Sequence, residues 1–349
     1  MRILVTGGSG FIGSRVVAEL LTAGHEVRVL DRRLPDASGR ARPPWTDVDF
    51  RHADVADGSA VASALSGVDL VCHQAAMVGR GQEILDAPAF AHSNDLGTGV
   101  LVAAMTRTGP ERLVLASSVV LYGDCRYSCP EHGRVRPLRR AAADLDAGRF
   151  EPRCPSCALE LVASAVEEDD LPDPPRNVYA VTKLAQELLV SAWARETGGV
   201  AVALRYHNVY GPAMPYDSPY SGVAAVFRTA VEQGVPARVY EDGLPRRDFV
   251  HVRDVAAANV AALSWEEPGF HPFNIASGEP RGIHELALAL SRAGGGPAPT
   301  VTGEYRIGDV RHIFASPAKA ARELGWRAAV DFRTGIEEFA AAPMRPPAG

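Results

Sequence analysis

Short apolar runs alternate with amphipathic stretches through the first half of the chain. The apolar runs, which we predict to be strands, are residues 3–6, 26–30, 48–52, 70–73 and 113–117. Helical patterns of hydrophobic and polar positions lie between them, for example at 11–23 and 90–107. Apolar strands that alternate with helices are typical of a parallel sheet covered on both faces. The pattern therefore predicts an α/β fold with a Rossmann-type doubly wound parallel sheet.

The alternation breaks between residues 124 and 161, where Cys, Pro and Arg accumulate. Alternation resumes with a helical pattern at 177–196 and an apolar run at 200–206, and beyond 210 the elements become shorter and richer in Gly and Pro. That change predicts a smaller C-terminal lobe over the carboxyl edge of the sheet. The predicted divisions are a dinucleotide-binding domain at 1–124 and 161–210, an insertion at 125–160, and a lobe formed mainly by 211–349, some segments of which can return to the first domain.

Composition narrows the partners that we expect. The 349 residues are 46% hydrophobic and 22% charged, with a net charge of −6 and no long run of one sign. Such a chain offers no broad basic surface, so we expect neither nucleic acid nor a membrane as a partner. No apolar stretch approaches the roughly 20 residues that span a bilayer. Met1 leads directly into an apolar strand, so we expect a cytoplasmic protein whose five cysteines form no stable disulfides.

A glycine-rich segment, GGSGFIG at residues 7–13, follows the first predicted strand and opens the first predicted helix. Glycines let the backbone approach a pyrophosphate, and the helix N-terminus supplies unpaired N–H groups. This context favours a dinucleotide site over an ordinary turn. Asp31 ends the second strand 18 positions after Gly13 (31 − 13 = 18), where a carboxylate would bind ribose hydroxyls, which favours NAD. Arg33 keeps NADP open. The predicted cofactor contacts here are Gly7, Gly10, Phe11, Ile12, Gly13, Asp31 and Arg32.

Tyr179 and Lys183 form a Y-x-x-x-K pattern in the predicted helix at 177–196. Residues four apart share a helix face, so both side chains can meet one ligand. A free tyrosine has a pKa of about 10, and a nearby ammonium together with oxidised nicotinamide would favour its phenolate, making it a general base near pH 7. The pattern also occurs by chance. Ser118 strengthens it, because it follows a predicted strand at the edge where doubly wound folds place their active sites.

Together these motifs resemble the extended short-chain dehydrogenases/reductases of the nucleotide-sugar epimerase and dehydratase type, including the UDP-glucose/UDP-galactose 4-epimerases. The matching residues, in chain order, are 6–13, Asp31, Asp54-Val55, 73–76, Asn94, Ser117-Ser118, Tyr122-Gly123, 179–183, 205–212 and 247–252. The match covers nearly the whole chain except the insertion, and several motifs in order are more specific than any one alone. The resemblance implies NAD, a substrate lobe, and a homodimer formed through the helices near 90–107 and 177–196.

The resemblance also implies catalytic roles. Tyr179 would take the proton of a sugar hydroxyl as hydride leaves the carbon for NAD, while Ser118 would hydrogen-bond the same oxygen. Lys183 would hold the nicotinamide ribose and lower the pKa of the tyrosine. Asn94 is expected to brace the active-site helix rather than to react.

The remaining matches are expected to contact cofactor and substrate. The implied cofactor contacts are Asp54 and Val55 at the adenine pocket, with Ala75 and Ala76 along the cofactor. In the substrate lobe, Asn208 would contact a phosphate or nucleoside, and Arg247 and Arg306 would grip the diphosphate. Guanidinium groups suit phosphate oxygens, and a negative chain needs such local cations to bind an anion. The alternative for each Arg is a solvated surface charge, and Arg311 is a weaker candidate.

The positions after Ser118 limit the reaction. The 4,6-dehydratases of this family carry an Asp-Glu pair there, whereas this chain has Val119 and Val120, which cannot transfer protons. We therefore expect a 4-epimerase acting on a nucleotide-sugar, with UDP-hexose favoured. The alternatives are a nucleotide-sugar 4-ketoreductase, dehydratase or decarboxylase, and, in another class, a dinucleotide-binding sensor or scaffold.

The insertion contains two close cysteine pairs, Cys125 with Cys129 and Cys154 with Cys157, separated by 24 residues (154 − 129 − 1 = 24). Such spacing is typical of a four-cysteine structural zinc site, with free thiols or a redox pair as the alternative. His132 is a conceivable substitute ligand. The insertion is also basic, through Arg134, Arg136, Arg139, Arg140, Arg149 and Arg153. We expect a zinc-stapled lid that touches substrate or the partner subunit, against the alternative of a surface decoration.

Overall fold

A seven-stranded parallel sheet forms the centre of the protein. The structure, a computed structural model, describes residues 1–33, 45, 48–79, 84–170, 175, 177–216 and 222–345. The strands are β1 Arg2–Thr6, β2 Glu26–Asp31, β3 Asp49–His52, β4 Leu70–His73, β5 Arg112–Ser118, β6 Arg126–Cys129, β7 Gly133–Arg134, β8 Val162–Ser164, β9 Val200–Tyr206, β10 Asn208–Tyr210, β11 Arg238–Val239, β12 Arg246–Arg247, β13 Phe249–His251, β14 Gly269–Ile275, β15 Arg281–Gly282 and β16 Thr300–Val301.

Helices connect most of these strands. They are α1 Phe11–Thr22, α2 Gly58–Leu65, α3 Ala87–Phe90, α4 Gly97–Thr108, α5 Ala142–Asp146, α6 Val178–Thr197, α7 Val223–Glu232, α8 Val252–Ala262, α9 Ile283–Gly294, α10 Ala318–Glu323 and α11 Phe332–Ala341. A π-helical stretch, Ala91–Leu96, joins α3 to α4, and 3-10 turns lie at Ile84–Asp86 and Val119–Tyr122. Among the described residues, no helix combines the length and apolar character needed to cross a membrane.

The strand order in the main sheet is β14-β9-β5-β4-β1-β2-β3, and every neighbouring pair is parallel. From β1, the strands β2 and β3 are added on one side; the chain then crosses over, and β4 and the later strands are added on the other side of β1. The loops after β1 and β4 therefore diverge and open a crevice at the carboxyl edge of the sheet. This order confirms the predicted doubly wound fold, and β4 and β9 coincide with the predicted apolar runs.

Two apolar cores, one on each face of the sheet, explain why the strands appear in the sequence as continuous apolar runs. One core, on the face covered by α1 and α8, includes Val16, Leu20 and Phe273. The other, beneath α2, α4 and α6, includes Leu4 and Trp193. Because the sheet is covered on both faces, side chains on both sides of each central strand are buried, and the strict alternation of a half-exposed strand is absent.

The π-helical stretch divides the helix that the sequence predicts at 90–107. An i→i+5 turn inserts an extra residue and rotates the side chains that follow. Asn94, within this stretch, is fully buried; its amide donates to Met77 O at 3.0 Å and to Thr182 Oγ1 at 2.9 Å. It also accepts from Met77 N at 2.7 Å. Asn94 thus links the loop after β4 to α6, the bracing position expected for it.

The C-terminal lobe has its own core beneath α7, α9 and α11. Phe227, Leu286 and Phe339 are buried there. Two later elements return to the main sheet: β14 pairs with β9 at its edge, and α8 packs against α1. The lobe and the sheet are therefore joined by more than one crossing of the chain, which limits how far one can move against the other.

The insertion forms a small three-stranded antiparallel sheet in the order β7-β6-β8. Tyr127 and Leu161 are buried in its core, together with Phe314 from the C-terminal lobe. The third strand, β8, extends the unit to Ser164, beyond the predicted limit at residue 160. A contribution from the lobe to this core means that the insertion is packed onto the protein rather than projecting from it.

Candidate functional site

A cleft of about 1860 Å³ opens at the carboxyl edge of the sheet and extends under the C-terminal lobe. All residues that the sequence assigns to cofactor or substrate line it: Gly7, Gly10, Phe11, Ile12, Gly13, Asp31, Arg32, Asp54, Val55, Ala75, Ala76, Ser118, Tyr179, Lys183, Asn208, Arg247 and Arg306. Pockets for one small ligand usually measure about 300–1,000 Å³, so this cleft has room for two.

The glycine loop closes tightly against the strands beside it. Gly7 has a positive φ of +72°, and a Cβ there would lie 2.6 Å from the backbone nitrogen of Ala75. A Cβ on Gly13 would lie 2.1 Å from the carbonyl oxygen of Gly7. Any side chain at either position would force the loop away from its place. The loop backbone and the N-terminus of α1 therefore reach the cleft, in the arrangement that binds a pyrophosphate.

Asp31 stands at the end of β2 with both carboxylate oxygens engaged by backbone. Ser9 N donates to one oxygen and Arg33 N to the other, each at 2.9 Å. Each oxygen keeps a lone pair for a further donor such as a ribose hydroxyl. Arg32 lies 3.7 Å from Asp54 across the adjacent rim. Asp31 and Asp54 place two carboxylates at this end of the cleft, and Arg32 and Arg33 are lining side chains there that would attract a 2′-phosphate.

Ser118, Tyr179 and Lys183 meet at the middle of the cleft. Tyr179 hydrogen-bonds the side chain of Ser118, whose Oγ also accepts from Val120 N at 3.3 Å. The Tyr179 ring packs against Phe90, with 6.0 Å between ring centroids. The ammonium of Lys183 donates to Ala116 O at 2.7 Å and to Gln186 Oε1 at 2.6 Å, so one of its three N–H groups is left for another acceptor.

The pKa values of these groups respond to burial. Burial raises the pKa of Tyr179 above its usual value, and the hydrogen bond with Ser118 acts in the opposite direction. Burial lowers the pKa of Lys183 to about 8, although the carboxylate of Glu187 acts to raise it. The tyrosine is therefore protonated without a cofactor. A phenolate near neutral pH requires additional positive charge in the cleft, such as the oxidised nicotinamide invoked from the sequence.

Helix α6 is fixed by a buried ion pair that sequence reasoning did not assign. Glu187 accepts from Arg205 Nε at 3.0 Å and from its Nη2 at 2.8 Å, and it also accepts from the hydroxyl of Ser117. Arg205 in turn donates to the Tyr122 hydroxyl at 2.7 Å. The signal was an acid four residues after Lys183, on the same helix face. This pair holds α6 against β5 and β9, which places Tyr179 beside Ser118.

The far end of the cleft carries cations. Arg247 donates to Val310 O at 2.6 Å and to Arg311 O at 2.9 Å, so its guanidinium is anchored by the backbone of the opposite wall. Arg306 lies over the ring of Tyr240, 5.0 Å from the centroid, and both residues line the cleft. Tyr240 was not assigned from the sequence; as a lining residue it offers an aromatic side chain to a planar ligand.

The wall next to Ser118 contains no proton-transferring acid at the two positions that follow it. Val119 and Val120 both line the cleft there. The carboxylates among the described lining residues are Asp31, Asp54, Glu241 and Asp309. The first two belong to the end near β2, and the last two to the C-terminal lobe. The surroundings of Ser118 thus suit reversible oxidation of a hydroxyl better than elimination.

The cysteine-rich insertion differs from its predicted ligand set in one member. The side chains of Cys129, His132, Cys154 and Cys157 bring their ligand atoms within 4.8 Å of one another. Cys125 lies outside this group, with its thiol 3.9 Å from Phe314 O in the insertion core. Cys125 and Phe314 pack together, and this directs the thiol away from the cluster. His132, considered only a substitute from the sequence, occupies the fourth position.

The structure also corrects the expectation of a lid over the substrate. Residues 124 to 170 are all described, and none of them lines the cleft. Several arginines of the insertion are paired with acids, including Arg134 with Asp170 at 2.6 Å and Arg140 with Glu241 at 2.8 Å. The insertion instead packs against the C-terminal lobe, where Arg140 pairs with Glu241, Glu151 pairs with Arg311, and Phe314 enters the insertion core.

Comparison with known proteins agrees with this geometry. A family model described as "NAD dependent epimerase/dehydratase family" matches residues 3–141 and 156–276. A dTDP-L-rhamnose 4-epimerase of Burkholderia thailandensis is 33% identical over 345 residues, covering 97% of this chain and 93% of that protein. A UDP-glucose 4-epimerase of Bacillus subtilis is 30% identical over 368 residues, covering 99% and 96%. The solved structure of a Thermus thermophilus UDP-glucose 4-epimerase in complex with NAD has a TM-score of 0.75 and 32% identity, covering 97% and 98%.

The close approach at Gly13 gives a first prediction. Gly13→Ala places a Cβ 2.1 Å from Gly7 O, so the loop must shift and the affinity for NAD should fall by about tenfold or more, that is about 1.4 kcal/mol. Titration of NAD into cofactor-depleted protein measures this. The control is Gly99→Ala in α4, where no atom lies within 4 Å of the new Cβ and NAD affinity should not change. NAD affinity of Gly13→Ala equal to that of wild type would contradict the assignment.

Proposed function

Because this chain belongs to the NAD-dependent epimerase/dehydratase family, we propose that it is an NAD-dependent nucleotide-sugar 4-epimerase. The observation that carries this proposal is the contact of Tyr179 with Ser118 in a cleft wall that continues with Val119 and Val120. These residues supply a base and a hydroxyl binder but no acid for elimination. Both sequence relatives described above are named as 4-epimerases, which supports the same reaction.

NAD is the cofactor that best fits the first half of the cleft. We propose that the loop at Gly7–Gly13 holds the pyrophosphate, that Asp31 binds the adenosine ribose, and that Lys183 binds the nicotinamide ribose through its remaining N–H group. When bound, NAD accepts a hydride from the sugar and returns it. The two carboxylates Asp31 and Asp54 at the adenosine end disfavour the 2′-phosphate of NADP by charge repulsion.

The chain's own residues then control the proton. Ser118 positions the sugar 4-hydroxyl, and Tyr179 removes its proton as C4 becomes a carbonyl. The same phenol returns the proton when hydride is added to the opposite face of the 4-keto sugar. Neither residue after Ser118 can transfer a proton to or from the carbons next to the carbonyl, so elimination does not compete. The site therefore favours isomerisation without net oxidation.

We propose that the substrate is held by its diphosphate at the far end of the cleft. Arg306 and Arg247 supply positive charge, and Asn208 supplies a polar contact between them and the catalytic centre. Guanidinium groups suit phosphate oxygens, and the overall negative charge of the chain makes local cations the principal attraction for an anion. A UDP-hexose is the favoured substrate; a dTDP-sugar is the second candidate, because one relative is named for a dTDP-sugar.

We also propose a homodimer in the cytoplasm. Val181 and Leu188 on α6 are 49% and 61% exposed, and Leu96, which ends the π-helical stretch just before α4, is 50% exposed. These are the helices expected to meet a second subunit. Large aliphatic groups exposed on adjacent helices favour burial against a partner.

Structural zinc in the insertion completes the proposal. Zinc lies about 2.3 Å from thiolate sulfur and about 2.0–2.1 Å from imidazole nitrogen, which gives ligand separations of about 3.5–3.8 Å around a tetrahedron. Cys129 Sγ lies 3.5 Å from both Cys157 Sγ and His132 Nδ1, and Cys154 Sγ lies 3.6 Å from His132 Nδ1. Three thiolates and one imidazole form a closed shell, which is typical of structural rather than catalytic zinc.

The reaction is tested with a panel of UDP- and dTDP-sugars and no added cofactor. Purified protein with its bound NAD should convert UDP-glucose or a dTDP-sugar into an isomer of unchanged mass, identified by chromatography and mass spectrometry. Loss of water would identify a dehydratase, and a requirement for added NAD(P)H a reductase. No conversion of any sugar, despite bound NAD, would favour the non-catalytic sensor and reject the epimerase.

The role of the phenol gives a sharper test. Tyr179→Phe removes the proton acceptor but keeps the ring against Phe90, so turnover should fall by about 10²–10⁴-fold while NAD content stays at the wild-type level. Tyr216→Phe, which loses a hydrogen bond to Glu232 outside the cleft, is the matched control and should retain turnover. Turnover by Tyr179→Phe within a few-fold of wild type would remove this residue as the base.

Metal content distinguishes the two possible ligand sets. Wild type and Cys125→Ser should each bind one equivalent of zinc by mass spectrometry or atomic absorption, because Cys125 lies outside the cluster. Cys129→Ser and His132→Ala should lose zinc, since each opens the four-ligand shell. The opposite pattern, with zinc lost from Cys125→Ser and kept in His132→Ala, would restore the four-cysteine site and reject the one proposed here.

A further inference from the structure

We infer that the metal-stapled insertion is a brace that positions the substrate-binding wall of the cleft from behind, rather than a lid or a surface decoration. The wall is the segment 305–314, which we call the anchor segment. This inference rests on the proposed substrate site and zinc site. It assigns Glu151 and Arg140, neither of which lines the cleft, as positioning residues for substrate binding.

The anchor segment has one face toward the cleft and one toward the insertion. Arg306, Ile307, Gly308, Asp309, Val310 and Ile313 line the cleft. This segment, all of which the structure describes, contains no helix and no strand; its one β-type contact is an isolated bridge between Ile313 and Arg247. Its position therefore depends on side-chain and backbone contacts with other elements, and the question is which elements supply them.

Ion pairs made by a buried arginine connect the rear of the anchor segment to the insertion. Arg311 is 1% exposed and pairs with Glu151 at 2.6 Å, and it also pairs with Glu241 and Asp242 at 2.7 Å each. His312 Nε2 lies 3.0 Å from the second carboxylate oxygen of Glu151. One carboxylate of the insertion thus contacts two consecutive residues of the wall. The geometry is that of a charge-assisted hydrogen-bonded pair, with the arginine buried and the carboxylate 29% exposed.

Two further contacts extend the connection along the segment. Arg140 donates to Asp309 O at 2.8 Å and pairs with Glu241 at 2.8 Å. The Tyr305 hydroxyl donates to Asp146 at 2.6 Å. The insertion therefore contacts the anchor segment at its start, its middle and its end.

Backbone hydrogen bonds link the start of the insertion, and the chain just after its last strand, to the same wall. Cys125 N, at the start of the insertion, donates to His312 O at 3.1 Å, and Val166 N donates to Phe314 O at 3.1 Å. Phe314 also packs in the insertion core with Cys129 and Cys154, two members of the cluster. A metal that holds these cysteines together would therefore hold Phe314, and through it the anchor segment.

The test compares Glu151→Gln with Glu160→Gln, an exposed acid of the same insertion. Glu151→Gln keeps the shape but removes the charge that pairs with Arg311, so the anchor segment should loosen. UDP binding measured by calorimetry, or dTDP binding if wild type prefers it, should weaken by about five- to thirtyfold. KM for the nucleotide-sugar should rise while kcat and NAD content stay near wild type, because the chemistry at Tyr179 is unchanged. Glu160→Gln should match wild type in all four measurements.

Metal removal tests the other half of the inference. Chelation should raise hydrogen exchange in peptides covering 305–314 and weaken UDP binding, with exchange in β1 and α1 unchanged. If Glu151→Gln does not fold, Tyr305→Phe, which loses only the bond to Asp146, should weaken UDP binding in the same direction but less. Wild-type UDP affinity in the folded variants, or metal loss without faster exchange at 305–314, overturns the brace. Failure to epimerise any sugar would instead reject the proposed reaction, since UDP and NAD binding are measured separately.

Discussion

The docking of α6 on the central sheet is the interaction on which the active site depends. The buried face of this helix is polar over its first half, with Thr182, Lys183, Gln186 and Glu187 all under 5% exposed, and apolar further along, at Val190 and Trp193. A buried polar group without a partner costs about 1–3 kcal/mol, so each of these must find its own acceptor or donor. An apolar helix can slide by a fraction of a turn and remain packed, whereas four separate polar contacts allow one register. That register sets Tyr179 against Ser118.

The two halves of the cleft are ordered by different means. The cofactor half is built from strand ends and the first turn of α1, whose positions follow from sheet pairing and the doubly wound order. In the substrate half, the wall at residues 305–314 is irregular chain, and Arg247 at the end of β12 binds the carbonyls of Val310 and Arg311 there. Regular structure gives a site that any member of the fold can share. Irregular structure held by side chains is where one chain can differ from its relatives in substrate.

The sequence predicted the sheet well because its strands are buried on both faces and stand out as apolar runs. It also placed the cleft residues, since strand ends of a parallel sheet meet at one edge and the motifs had known context. It missed the π-helical stretch at 91–96, because a single extra residue does not disturb the apolar pattern enough to be seen. The acid Glu187 is visible in the sequence four residues after Lys183, but its pairing with Arg205, 18 residues away, depends on the fold and cannot be found from a local pattern. The sequence predicted Cys125 rather than His132 as the fourth metal ligand because the cysteines are spaced in two pairs. In the structure Cys125 packs against Phe314, and His132 lies in the cluster instead.

The charges of the insertion explain why its arginines do not serve the substrate. Arg140 of the insertion and Arg311 of the anchor segment both bind acids, chiefly Glu241 and Glu151, and these acids neutralise their positive charge. Arg247 donates its hydrogen bonds to backbone carbonyls, which carry no net charge, and Arg306 packs on the aromatic ring of Tyr240. Their charges therefore remain available to an anion. A chain with net charge −6 can bind a diphosphate in this way, through two cleft arginines whose hydrogen bonds and ring contact are with uncharged groups.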